Sequence, residues 1–197
     1  MSRGDPLPFG LALCTLGLGI FAITFLSLGQ DDVSFARTQW TALLSMTLAA
    51  PAILLYAGGR APHSPWWRSF WTVSFLAYVV HFWWGVFRSF NGDFEALIER
   101  EGWVAYGIFV VTIVWGLDVI TAWIKPSMHS GTVPGLHFLA WFLVTVSFVL
   151  ATAIFRSGPA AYAGYAFAAA VLCALIGRVA VRRRNSAVVD KLAAHSA

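Results

Sequence analysis

The chain has 197 residues, of which 59% are hydrophobic and 11% charged, with a formal net charge of +4 and a mean hydropathy of +0.73. A soluble domain carries about a quarter charged residues, so this composition excludes an ordinary soluble enzyme and points to an all-α, polytopic protein embedded in a lipid bilayer. Six apolar segments approach the ~20 residues a transmembrane helix needs, and the short connections between them leave no stretch for a soluble catalytic domain.

In chain order the expected spans are 9–29, 39–58, 66–87, 103–124, 134–155 and 160–181. They form one six-helix transmembrane domain over 1–184, followed by a tail at 185–197. The first span runs to Gly29 and meets 30-QDD-32 without a small-residue cleavage signature, so it reads as a retained helix rather than a signal peptide. Cys14 and Cys173 fall inside spans and read as small packing residues. Two prolines in 58-GGRAPHSP-65 separate the second and third spans. The stretch 125-KPSMHSGTVPG-135 does the same for the fourth and fifth, and 156-RSGP-159 makes a tight turn before the sixth. Trp66, Trp67, Trp103 and Trp123 lie near span ends, where interfacial anchors are expected.

The connection 88–102 carries more pattern than a plain loop. Asn91-Gly92 signals a turn, Asp93 can cap, and Phe94, Leu97 and Ile98 recur at helical spacing opposite Glu95, Glu99 and Arg100. A short amphipathic helix on the outer membrane surface is expected. Its acids Asp93, Glu95, Glu99 and Glu101, with Asp31 and Asp32, offer a face on which a soluble partner could dock.

Lysine and arginine counts set the expected orientation. Arg3, Arg60, Arg68, Lys125, Arg178, Arg182, Arg183, Arg184 and Lys191 fall on the side of the termini, against Arg37, Arg88, Arg100 and Arg156 on the other. Both termini are therefore expected in the cytoplasm, with the chain in a bacterial-type inner membrane. The run 182-RRR-184 reads as an anchor for anionic lipid, not as a nucleic-acid site.

Ionisable groups at membrane depth are few, and they mark function by default because they are costly there. They are Arg68, His81, Asp118 and His137, with Arg178 near the end of the sixth span. At ~1.5 Å per residue, His81 lies ~20 Å from Arg68 along the third span. Arg68, Asp118 and His137 thus share an inner layer, while His81 stands in an outer one among Tyr78, Phe82, Trp83 and Trp84. The inner set reads either as a buried salt bridge with a hydrogen-bonded histidine or as a proton path, an anionic headgroup or quinone site, or a haem site. Zinc has little support: no HExxH or CxxC occurs, and His129 and His137 are eight apart across a loop.

The third span 66-WWRSFWTVSFLAYVVHFWW-84, the fifth 134-PGLHFLAWFLVTVSFVLATAIF-155 and the second 38-TQWTALLSMTLAAPAILLYAG-58 resemble, in order and spacing, the ferric reductase-like transmembrane domain. The form it resembles most is the small haem-binding membrane subunit that serves a periplasmic methionine sulfoxide reductase. The resemblance covers about residues 10–184. It implies haem ligands thirteen residues apart on the third and fifth spans, which places Arg68 and His81 on one and His137 and Leu150 on the other. Leu150 cannot ligate iron, so each layer keeps one histidine. The expected function is a membrane electron-transfer subunit of a reductase system, holding one haem b or a quinone, with flavin as a further cofactor candidate and a membrane or periplasmic redox protein as partner. The alternative is an accessory or assembly subunit of a larger complex that has lost haem; a proton-coupled carrier using Asp118 is the third reading.

Overall fold

A computed structural model describes residues 6–59, 64–124, 132–154 and 158–195. Arg3, Arg60, Lys125, His129 and Arg156 lie outside the described residues, as do parts of the expected turns at 58–65, 125–135 and 156–159. Within the described residues the chain is helical with no strand: α1 (Leu7–Leu26), α2 (Val33–Ala57), α3 (Pro65–Trp83), α4 (Phe94–Glu101), α5 (Trp103–Ile124), α6 (Thr132–Val149) and α7 (Pro159–His195). All but α4 are long and apolar enough to cross a membrane. Six crossings return the chain to the side from which α1 starts, called the near side below; α4 lies on the far side.

Local chemistry explains where these helices begin and end. Asp32 accepts the Phe35 N–H at 2.9 Å, so α2 starts six residues before the expected span, with the polar 33–38 segment held by that N-cap. Asn91 and Gly92 both take positive φ, and Asp93 then accepts from the Glu95 and Ala96 N–H groups, each at 3.0 Å, to open α4. Gly102, at φ 58°, turns the chain from α4 into α5. The tail at 185–197 is helical as far as His195, in continuation of α7. Beyond Gly177 the sequence holds no glycine or proline and is rich in alanine and arginine, so nothing stops the helix.

α3 is the central element, packed against α1, α2 and α5. It pairs most closely with α2, where Ser45 Oγ donates to the Ser74 carbonyl at 2.9 Å with both residues fully buried. Small residues let the backbones approach, as membrane helices commonly do. On the other flank of α2, Trp141 Nε1 of α6 donates to the Ile53 carbonyl at 3.1 Å. α4 lays its apolar face on the bundle rather than only on the membrane surface, because Leu97 is buried against Val86 and Ala105. At the same end Trp84 lies under two guanidinium groups, Arg37 at 4.9 Å and Arg88 at 5.8 Å.

Two helices change pitch on the far side. α3 passes into a π-helical segment at Trp84–Ser89, and α6 does so at Leu150–Ile154. Such wide turns concentrate at functional sites. The second is braced by α7, where Gly164 sits so close that a Cβ there would lie 2.4 Å from Thr152 Oγ1 and 2.7 Å from the Ala153 nitrogen. Gly164→Ala should therefore cost about 1–3 kcal/mol through overpacking. Gly177→Ala, which would meet nothing within 4 Å, serves as the control, and thermal unfolding in detergent should show a lower midpoint for the first variant alone.

Candidate functional site

On the near side, Asp118 of α5 is fully buried and takes a hydrogen bond on each oxygen. Trp71 Nε1 of α3 donates to Oδ2 at 2.8 Å, and His137 Nδ1 of α6 donates to Oδ1. One carboxylate thereby ties three helices, and two donors offset the cost of holding it away from water. The expected inner layer is present, but Asp118 pairs with His137 and not with Arg68. Among the described residues no ion pair joins Arg68 to Asp118; Arg68 lies over the Trp123 ring at 5.3 Å, and Trp123 Nε1 donates to Thr72 Oγ1 at 2.9 Å. Arg68 and Thr72 are one helical turn apart and clamp the same indole. The physical reason is that a neutral indole N–H already satisfies the second carboxylate oxygen, so no guanidinium has to reach Asp118.

An aromatic column rises from this site toward the far side. His137 meets Trp67 edge-on at 5.5 Å, Trp67 stacks on Trp71 at 5.4 Å, and Trp71 meets Trp115 at 5.0 Å. Trp115 then contacts Tyr78 at 5.4 Å, and Tyr78 contacts His81 at 5.8 Å. Each separation is that of a direct aromatic contact. Trp67, expected as an interfacial anchor, is 1% exposed inside this column, whereas Trp66, Trp103 and Trp123 do face outward.

His81 closes the far end. Its Nδ1 lies 2.8 Å from the Thr38 carbonyl of α2, and because a carbonyl only accepts, Nδ1 carries the proton. In the neutral ring Nε2 is then left with its lone pair, the arrangement by which a ligating or proton-accepting imidazole is held by a backbone carbonyl. His81 lines a cavity of about 310 Å³ bounded by α2, α3, α5 and α6, and Tyr78, Trp115, Ser147 and Leu150 share its walls. Trp115 brings a buried indole N–H without a hydrogen-bond partner. Leu150, placed opposite His81 by the resemblance, is on that wall, at the start of the second π segment.

The donor set can be set against a haem protein's needs. In the near-side layer a second ligand is missing, His137 is bound to Asp118, and the buried rings of Trp67, Trp71 and Trp115 occupy the space beside it, so a bis-histidine haem does not fit there. In the far-side layer His81 meets the requirement for one oriented imidazole nitrogen among apolar walls, with Leu150 offering no second ligand. No group of three or more histidine, cysteine or acidic residues able to hold a metal ion occurs among the described residues. The acids Asp93, Glu95, Glu99 and Glu101 are all exposed on or beside α4. Asp93 is engaged as the helix cap, and Glu101 lies 3.6 Å from Arg100. Trp71, Thr38, Trp115 and Ser147 escaped sequence reasoning, because an indole or hydroxyl inside an apolar span looks the same whether or not it meets a polar partner.

Asp118→Asn leaves an amide that cannot accept on both sides, so one of His137 and Trp71 loses its acceptor. Breaking the buried set should cost roughly 3–5 kcal/mol. Arg68→Met, which removes only a cation over a ring, should cost about 1 kcal/mol or less. Melting curves of the two purified variants test this ordering, and equal midpoints would remove Asp118 as the tie between helices.

Compared with models of known protein families, with curated proteins and with solved structures, the chain finds no match. Its functional reading rests on its own residues and their geometry.

Proposed function

We propose that this chain is a membrane electron-transfer component, whose reaction site is the far-side cavity at His81. The observation that carries the reading is the His81 imidazole itself: Nδ1 is committed to the Thr38 carbonyl, and Nε2 has no hydrogen-bond partner among the described residues. That nitrogen can serve as the single protein ligand of a b-type haem or as the acceptor for a hydroxyl of a quinol, and the surrounding walls exclude water from either. A b-type haem held there would supply a one-electron iron couple. The chain's own part is to fix the imidazole tautomer, to keep the pocket apolar, and to hold the pocket's helices in register through Asp118. Charge asymmetry supports an inner-membrane setting with cytoplasmic termini, which puts the His81 layer toward the periplasm and near α4, the face for a periplasmic redox partner.

A second reading, an accessory subunit without a redox group, is favoured by one feature: Leu150 stands where a second iron ligand is expected. One experiment separates the two. Protein purified in mild detergent is examined by visible spectroscopy, oxidised and dithionite-reduced, and its organic extract is assayed for quinone. A Soret band with sharp reduced α and β bands, or stoichiometric quinone, supports the proposal; either signal should fall at least severalfold in His81→Ala and persist in His137→Ala. A colourless protein with no quinone, expressed with haem and quinone available, supports the accessory reading.

A further inference from the structure

Two arginines converge at the far end of the bundle without a counter-charge. Arg37 of α2 and Arg88 of the first π segment hold their guanidinium carbons 4.9 Å and 5.8 Å from the centre of one ring, that of Trp84. Both side chains are permanently charged. Among the described residues the ion pairs are Arg100–Glu101 and His137–Asp118, so neither arginine has an acidic partner. Asp32, the acid next along α2, is engaged as that helix's cap.

The two cations are also held in place, unlike arginines that reach independently for water. Arg37 Nε donates to Ser27 Oγ at 2.9 Å, and Ser27 is fully buried. That bond leaves the N–H groups on Nη1 and Nη2 without a hydrogen-bond partner among the described residues, and they form the fork that grips an oxyanion. Arg88 stands one turn beyond Trp84 and is exposed. Beside them α2 and the π segment touch: a Cβ at Gly85 would lie 3.6 Å from Thr38 Cγ2, and Thr38 Oγ1 lies 3.5 Å from Ser89 Oγ. Like charges held across a helix contact repel, and an anion between them replaces that repulsion with two attractions.

Depth and surroundings choose the anion. Arg37 lies just inside the start of the span Val33–Ala57 and Arg88 at the end of Pro65–Ser89, so both stand at headgroup level. One turn inward, Trp40 of α2 and Trp83 of α3 are 45% and 46% exposed on the apolar flank, and Trp83 meets Trp84 edge-on at 5.0 Å. A phosphate at the arginines is continuous with apolar surface beneath it, which is the order of groups in a phospholipid. A zwitterionic headgroup would bring its own ammonium against the two cations, so a lipid of net negative charge is preferred.

We infer that Arg37 and Arg88 bind the phosphate of a net-anionic phospholipid in the far-side leaflet, with the Trp84 ring as their platform. The site does not depend on the redox reading, although it adjoins the cavity: Thr38, the residue after Arg37, gives His81 its carbonyl.

The test strips the full chain of lipid in mild detergent and titrates it with phosphatidylglycerol or with phosphatidylcholine of the same acyl chains, counting bound lipid by native mass spectrometry. Wild type should bind its first phosphatidylglycerol about tenfold more tightly than phosphatidylcholine, the worth of one charge-assisted hydrogen bond, and excess inorganic phosphate should not displace it. Arg88→Gln, a change at an exposed side chain, should remove the preference, and Arg88→Lys should restore part of it. Replacing Arg182, Arg183 and Arg184 by glutamine, at the other end of the molecule, should leave it. Equal affinity for the two lipids in wild type would overturn the inference whether or not the variants fold. So would a preference that survives Arg88→Gln or disappears with the α7 arginines. Displacement by inorganic phosphate would overturn it in favour of a free oxyanion. Haem or quinone lost from Arg88→Gln with lipid binding unchanged would overturn it in favour of the cavity's own ligand.

Discussion

The bundle depends on one carboxylate. Asp118 accepts from α3 and from α6 while standing on α5, and no water competes because the residue is fully buried. In a bilayer the hydrophobic effect does little to hold one apolar helix against another, so directional polar contacts and close packing carry the association. A buried carboxyl group with two fixed partners specifies which helices meet and at what rotation. Once Trp71 is aimed at Asp118, its ring face is set for Trp67 on one side and Trp115 on the other, and the column up to His81 follows.

That column couples two places that differ in character. The near-side end is polar and filled; the far-side end is apolar and hollow. Large rigid rings pack between them with few rotamers to lose, so the position of His81 is referred back to Asp118 through stacked solids instead of flexible chains. The π-helical segments complete the arrangement, because they begin just past His81 on one helix and at Leu150 on the other. Each adds a residue to its turn and widens the space into which neighbouring side chains project.

The sequence made the spans legible through hydropathy alone, and α5 was expected at its observed limits, 103–124. Depth arithmetic also brought Asp118 and His137 to one layer, because rise per residue is nearly constant in helices. Rotation about the helix axis was not legible. Arg68, Trp67 and Trp71 lie within one turn of each other, and which of them reaches Asp118 depends on angles that short aromatic-rich spans do not reveal, since every face is apolar. The pitch changes at Trp84 and Leu150 were invisible for the same reason.

α7 has 37 residues, which makes it about 55 Å long, nearly twice the ~30 Å hydrocarbon thickness of a bilayer. Its candidate span, Ala161–Asn185, bears on the π segment through Gly164, and the last ten residues continue the same helix to His195. Mechanically this is one continuous rod: a sideways load on its C-terminal end is delivered, across about 45 Å of helix, to the turn that carries Leu150 and walls the cavity.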